Sequence, residues 1–390
     1  MVSTYRKSTV RGSLIFHKFV SVSVASVWKY MVPAAVVFML GGLSASAQDD
    51  SEQPVQFSIS GSIDVFYAFD FNNPGSDSRQ PFFYNHNRHN EFNLNLGIIS
   101  AEVAHERYRA VLALQTGTYA ADNYAEEPVE LRNIFEAYAG LCLSANQDLW
   151  LDVGVFESHI GFEYAESAKN PTLTRSLVAE HSPYFLTGAR LTWQADEKWT
   201  FLLTAANGWQ RIRRVRGNSL LSFGSQVYYK PSEDWELNWS TLIGTDDPDT
   251  ERRMIFYNNL YAEKNLTEKL RLTAGFDIGA RQAARGSERY DAFLTPTLIL
   301  RCKFTDRWAA ALRGEYYHDP EGAVIPTETD EGFEAAGYSV NIDYSPRPGV
   351  ICRVEWRRFE GRNPVFSEPG GPGRDNMFVA ASVAVLFGGR

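Results

Sequence analysis

Charged side chains recur inside segments of the sequence in which every second residue is apolar. Residues 108–115, for example, place Arg109 and Gln115 on one side and Leu112 and Leu114 on the other, because alternate side chains of a strand point to opposite faces. The charged residues that this alternation assigns to the polar side are Arg109, Arg190, Arg271, Arg313, Arg353 and Arg357, with Asp64, Glu136, Asp152, Glu236, Asp277, Glu315 and Glu355.

Two kinds of chemistry are open to these charges. They can form ion pairs between strands, such as Glu315 with Arg353, or they can set up a transverse field that screens solutes in a water-filled lumen. A charge facing lipid at the middle of a bilayer costs about 2–4 kcal/mol, so a membrane-spanning wall must turn these residues inward. If the arginines form a filter, we expect neutralising Arg313, Arg353 and Arg357 together to shift ion selectivity towards cations.

A second concentration of charge lies in residues 157–184, the longest connection between strand-like segments. A helical fragment is predicted within it, at residues 174–180. Its charged or titratable residues are Glu157, Glu163, Glu166 and Glu180, with Lys169, Arg175 and His181.

The elements that must position these residues are long strands. Residues 55–69 alternate an apolar face, which includes Phe57 and Ile63, with a face of mainly small and polar residues. Soluble strands usually have about 5 or 6 residues, whereas a tilted strand needs roughly 9–11 residues to cross the hydrocarbon of a bilayer. The length of this segment therefore favours a transmembrane β-strand.

The spacing of the strand-like segments predicts their number. Seven short connections, the first near residues 105–107, alternate with eight long ones, the first near residues 70–90. Sixteen strands follow, although some ambiguous faces leave fourteen or eighteen open. Short turns at one end and long loops at the other are typical of outer-membrane barrels. We therefore predict an all-β, antiparallel, up-and-down transmembrane barrel, closed by pairing of residues 376–387 with the first strand.

The N-terminus has the pattern of a secretory signal peptide. Five basic residues precede an apolar run at residues 31–43 and a small-residue cleavage site at residues 45–47. We expect a signal peptide at residues 1–47 and a barrel domain at residues 48–390. Removal of the signal changes the formal net charge from −9 to −14. Such an acidic chain is a poor candidate for binding nucleic acid, and no cofactor is expected.

Three further groups are weaker candidates for a site. His86 and His89 suggest a metal site but are typical of solvated loops. The carboxylates of Asp246, Asp247, Asp249 and Glu251 could gather Ca²⁺ or the divalent cations of lipopolysaccharide, although the spacing of an EF-hand is missing. His181 and Ser182 suggest a hydrolase, but nothing marks the third member of a triad.

Several motifs resemble one family of membrane proteins. They read GVFESHIGFE, KNPTLTRSLVAEHSPYFLTGARLTW, NGWQRI, LRGEYYHDPEG and VEWRRF in chain order. Their order and spacing resemble the OmpL-like β-barrel porins of Bacteroidetes-type bacteria, over residues 57–387. The resemblance implies an outer-membrane channel for passive diffusion of small hydrophilic solutes or ions, without enzymatic activity. It also implies contact with outer-membrane lipid and lipopolysaccharide, and the porin analogy suggests a homotrimer.

By analogy with sixteen-stranded porins, residues 157–184 form a third extracellular loop that folds inward and constricts the lumen. The alternative is an extracellular lid that never enters the pore. The residues that we expect to line the pore or its constriction are Glu157, Glu163, Glu166, Lys169, Arg175, Glu180, Arg109, Arg190, Arg271, Arg313, Arg353, Arg357, Glu136, Asp152, Glu315 and Glu355. Two other functions stay open: a surface-exposed structural or binding barrel with a closed lumen, and an outer-membrane enzyme with a catalytic constellation at its outer rim.

Overall fold

A computed structural model describes residues 54–327 and 332–388. The predicted signal peptide at residues 1–47 lies outside the described residues. Sixteen strands make up most of the described chain. They are β1 (Gln56–Asp70), β2 (Phe92–Ala104), β3 (Tyr108–Thr116), β4 (Ile134–Ser144), β5 (Leu149–Glu157), β6 (Phe185–Gln194), β7 (Trp199–Ala206), β8 (Ser222–Ser232), β9 (Trp235–Gly244), β10 (Ile255–Thr267), β11 (Leu270–Gln282), β12 (Tyr290–Lys303), β13 (Trp308–Asp319), β14 (Phe333–Arg347), β15 (Val350–Gly361) and β16 (Asp375–Gly388).

The strands form one closed antiparallel barrel. Each strand pairs with its neighbours in sequence, and β1 pairs with β16, so that Val65 lies opposite Val383. Closure leaves no strand edge whose backbone groups would be unpaired in lipid. The predicted strand number is confirmed, and the short and long connections alternate as the sequence indicates.

The two faces of the wall differ in polarity as predicted. On β1, Phe57, Ile59 and Val65 are exposed on the outside, while Ser62 and Asp64 are buried on the inside. The outer face is therefore apolar, as a wall that faces lipid requires, and the inner face carries the polar and charged residues.

The interior also changes along the barrel axis, which the sequence did not predict. At the end with the long connections, aromatic side chains of strand ends pack against loop residues. One cluster joins Phe82 and Phe83 of the first long connection to Phe333, Phe359 and Phe378 of β14–β16. Two more clusters lie under the other long connections, around Tyr119 and Tyr124 and around Tyr257 and Phe293. Apolar packing therefore occupies part of the lumen at this end.

The helices are short and belong to the long connections. They are α1 (Thr118–Asn123) and α2 (Leu177–Glu180), with 3₁₀ turns at Val129–Leu131, Ala145–Gln147 and Ser167–Lys169. The predicted helical fragment at residues 174–180 is reduced to α2, because Ser176 caps it by accepting a hydrogen bond from the Ala179 amide. Among the described residues, no helix is both long enough and apolar enough to span a membrane.

Candidate functional site

Residues 158–184 leave β5, run through the inside of the barrel and return at β6. Ser167 Oγ donates to the Asp64 carboxylate on β1 at 2.8 Å. The Thr174 amide donates to Glu355 on β15, and the Leu177 amide donates to Glu315 on β13, each at 2.6 Å. Because Glu315 and Glu355 face inward on strands across the barrel from β5 and β6, the segment lies within the lumen. We call residues 158–184 the inner segment.

A buried charge network fastens the inner segment to β13 and β15. Arg313 Nη2 lies 2.7 Å from Glu355, and Arg357 Nη2 lies 2.5 Å from Glu315. The same guanidinium groups donate to backbone carbonyls of the segment, Arg313 to Thr174 at 2.6 Å and Arg357 to Arg175 at 2.7 Å. The four charged side chains are almost fully buried, so their contacts hold the segment rather than face open solvent.

The predicted pair of Glu315 with Arg353 is wrong. Arg353 lies directly opposite Asp343 on β14 and donates to it at 2.8 Å. Glu315 instead extends across Gly337 of β14 towards Arg357. A Cβ atom added at Gly337 would lie 2.8 Å from the Glu315 Cγ. Sequence alternation gives the face of each residue, but it does not give the register that selects partners two strands apart.

Arg353 also holds the part of the inner segment that lies nearest the end with the short turns. It donates to the backbone carbonyls of Asn170 and Thr172, each at 3.1 Å, and to that of Ser167. Its partner Asp343 also accepts a hydrogen bond from Arg301 on β12 at 2.6 Å. Neither Asp343 nor Arg301 was singled out from the sequence, although both lie on the polar side of alternating strands, as the other inward charges do.

Three charged residues of the inner segment itself are buried within it. Glu163 accepts hydrogen bonds from Ser176, and burial raises the pKa of its carboxyl above the ordinary value. Arg175 pairs with Glu180 at 3.2 Å and stacks on Tyr184, with its guanidinium carbon 3.5 Å from the ring centre. These residues stabilise the fold of the segment.

The first long connection, residues 71–91, also packs inside the barrel, which the sequence did not indicate. His86 Nε2 lies 2.9 Å from Asp64, and His89 Nδ1 accepts a hydrogen bond from the Asp70 amide. The two histidines therefore have separate protein partners. Across the described ranges, no group of three or more His, Cys, Asp or Glu residues is arranged to hold a metal ion.

Several other predicted charged groups also have protein partners. Asp152 is buried between Arg109 at 2.7 Å and Arg190 at 3.0 Å, and Glu136 accepts a hydrogen bond from the Glu157 amide at 3.2 Å. In the acidic connection, Asp247 contacts Arg253 and Arg281 at 2.8 and 3.1 Å, Asp246 contacts Arg211 at 3.0 Å, and Asp249 contacts Arg252 at 2.6 Å. Each of these three carboxylates therefore has an arginine partner.

A polar cavity of about 740 Å³ remains between the inner segment and the opposite wall. Tyr164 and Pro171 border it on the segment side, and Tyr261 and Thr273 border it on the wall. The charged residues around it are Glu157, Glu163, Lys169, Arg190, Glu236, Glu263, Arg271 and Arg301. Five of these were predicted as lining residues, whereas Arg313, Arg353 and Arg357 lie on the inner side of the wall but under the segment.

A second cavity, of about 430 Å³, lies at the end with the short turns. The turn between β14 and β15 borders it with Pro346 and Gly349, and Ala168 of the inner segment closes its other side. Ala168 also borders the larger cavity. The 3₁₀ turn Ser167–Lys169 therefore separates the two cavities.

Several solved structures share this fold at very low sequence identity. An anion-selective porin from Comamonas acidovorans aligns with a TM-score of 0.61 and 9% identity, covering 86% of this chain and 100% of its own. The outer-membrane channel DcaP of Acinetobacter baumannii aligns with a TM-score of 0.56 and 9% identity, covering 88% of this chain and 100% of its own. The trimer form of OmpT from Vibrio cholerae aligns with a TM-score of 0.56 and 7% identity, covering 86% of this chain and 100% of its own. None of the curated proteins matches the sequence.

The sequence itself matches one protein family over residues 56–387, nearly the whole barrel. That family is described as beta-barrel porin-2, OmpL-like, which confirms the resemblance drawn from the sequence motifs. Family and fold together point to a channel rather than an enzyme. The chain belongs to the OmpL-like β-barrel porins and is a barrel of the outer membrane.

Proposed function

We propose that the protein is a passive-diffusion porin in which the inner segment narrows a water-filled lumen. The observation that carries the proposal is the polar cavity of about 740 Å³ between the segment and the β6–β12 wall. A lumen that admits hydrophilic solutes needs polar walls, and a segment fastened across it reduces the size of what can pass. No cofactor or energy source enters this mechanism.

The route that we propose for solutes runs beside the inner segment. Buried charges fasten the segment to β13–β15, and hydrogen bonds hold its residues 159–161 to β8–β10. The cavity beside these attachments is the part of the lumen left for solutes. The turn Ser167–Lys169, where the two cavities meet at Ala168, is the constriction.

Conductance of the purified protein in planar lipid bilayers tests this function. Folded protein that inserts and gives stable open-channel currents supports a porin, and swelling of proteoliposomes in small sugars extends the result to neutral solutes. Folded, inserted protein that carries no current and gives no swelling would overturn the proposal.

A second candidate is a structural or binding barrel whose lumen is closed at rest. The aromatic clusters at the long-connection end favour it, because Phe82, Tyr119 and Phe293 are buried where an open channel would hold water. The same conductance measurement separates the two functions. A homotrimer and contacts with lipopolysaccharide stay predictions; cross-linking in native membranes tests the trimer.

A further inference from the structure

The charged groups in the lumen are not equally accessible to a solute. Arg109 pairs with Asp152, and the exposed fractions of the two side chains are 32% and 0%. The exposed fractions are 30% for Arg301 and 2% for its partner Asp343. They are 40% for Arg271 and 16% for its partner Glu263. In each pair the guanidinium is exposed to the lumen and the carboxylate lies nearer the wall.

An ion pair of the inner segment shows the same difference in exposure between cation and carboxylate. Lys169 pairs with Glu166 three residues earlier, and the lysine is the more exposed partner. Lys169, Arg271 and Arg301 all border the larger cavity, Lys169 from the segment and the two arginines from the opposite wall. Cationic groups therefore face the cavity from two sides, although the whole chain has a formal net charge of −9.

The chemistry of these groups favours one class of solute. A guanidinium presents several N–H donors in one plane and binds a carboxylate through two parallel hydrogen bonds. An anion in the cavity would meet these donors directly, whereas the carboxylates of Glu263 and Asp343 already accept hydrogen bonds from Arg271 and Arg301. Glu157 and Glu236 also border the cavity, and Glu236 lies 3.7 Å from Arg271. Coulomb attraction to the nearer charge then outweighs repulsion by the more distant one.

We propose that the cavity selects acidic solutes, with Lys169, Arg271 and Arg301 as the residues that attract them. This inference rests on the proposed porin function and adds the class of solute to it. Arg301 also holds the inner segment through the Pro171 carbonyl, so Lys169 and Arg271 are the better positions to vary.

The test measures reversal potentials in planar bilayers across a KCl gradient. The wild type should prefer Cl⁻, and the double variant K169Q/R271Q should lower the Cl⁻ to K⁺ permeability ratio by roughly two- to fivefold for each charge removed. K264Q is the control, because it removes a positive charge from the outer face of the wall. Lys264 lies there over the Trp235 ring. We expect K264Q to keep the wild-type ratio.

Calorimetric titration of citrate into the detergent-solubilised protein provides a readout that needs no open channel. Currents without anion preference, or an equal ratio in wild type and K169Q/R271Q, would overturn the selectivity and leave the porin function standing. Citrate binding that K169Q/R271Q weakens, in the absence of current, would support an acidic-solute site and overturn the porin function. The absence of both current and citrate binding would overturn the porin function and the selectivity together.

Discussion

The Glu315 carboxylate on β13 spans β14 and contacts Arg357 on β15, with 2.5 Å between Oε1 and Nη2. Gly337 on the intervening strand makes this reach possible, because its missing side chain leaves room for the Glu315 stem. Glu315 also accepts from the Leu177 amide, and Arg357 donates to the Arg175 carbonyl. This glycine of the wall thus makes room for one of the contacts that hold the inner segment.

A Gly337→Val substitution should loosen the inner segment. The new side chain would press on the Phe359 ring and on Glu315. Displacement of Glu315 would leave the buried Arg357 without its closest partner, a loss of roughly 3–5 kcal/mol. Gly314→Val is the control, since Gly314 is the neighbouring glycine on β13 and a Cβ there meets nothing within 4 Å. Limited proteolysis of the folded barrel should cut within residues 158–184 of the first variant only; equal resistance of both would contradict the role of Gly337.

Glu315 and Arg357 should be strongly coupled in stability. We expect Glu315→Gln or Arg357→Gln alone to leave a buried charge and cost about 3–5 kcal/mol. The double variant should cost less than the sum of the two, by about 1–3 kcal/mol. Urea unfolding of the detergent-solubilised barrel measures the cycle, and simple additivity would show that the contact is not an energetic pair.

Ala168→Trp should close the proposed constriction. The indole would fill the space between the two cavities that Ala168 borders, so single-channel conductance should fall several-fold while the barrel stays folded. Ala262→Trp, the same exchange at a residue of β10 that faces lipid beside Leu237, should leave conductance unchanged. Wild-type conductance in Ala168→Trp would place the narrowest point elsewhere.

Acid should weaken the inner segment. Burial lowers the pKa of His181 to about 4, and burial likewise lowers that of His159 to about 4. A histidine that is neutral when folded stabilises fully above its unfolded pKa, near 6.5, and that stability is lost as the pH falls from about 6.5 towards 4. The loss reaches at most about 3 kcal/mol for each histidine.

The urea midpoint at pH 7 and pH 5 measures this effect. We expect the wild type to lose stability on acidification and His181→Phe to lose less, because phenylalanine does not titrate. The phenyl ring keeps the contacts with Tyr84 and Tyr317, so the variant should still fold. Glu163, whose pKa is raised by burial, acts in the opposite direction in both proteins, so the comparison isolates the histidine. An identical pH response of the two proteins would exclude His181 as the cause.

Alternation along the chain was sufficient to predict the strands and their faces. It places Arg109 and Leu112 on opposite sides in a period of two, and lipid allows only one of these residues to face outward. The same rule was insufficient near the long connections, where Phe66, Phe359 and Phe378 point inward. Apolar side chains on the inner face become favourable there only because loop residues cover them.

The course of the connections was also beyond the sequence pattern. Residues 71–91 look like a polar surface loop, yet Asn85 and His86 are buried against inward groups such as Asp64 and Asn95. Those contacts join residues that are distant in sequence, so no local pattern indicates them. For the same reason the inward position of Arg313, Arg353 and Arg357 could be predicted, but their cover by the inner segment could not. We therefore expect neutralising those three residues to release the segment rather than to retune a filter.

The attachments of the inner segment divide the barrel wall into positions that hold the segment and positions that only border the cavity. Besides the charges of β13–β15, the side chains of Gln226, Ser240 and Asn259 on β8–β10 hydrogen-bond to residues 159–161 and must be kept. Thr273 on β11 borders the cavity but donates its hydrogen bond to Glu263 of the neighbouring strand. Diversification of solute preference, in evolution or by engineering, is therefore open at positions of this second kind.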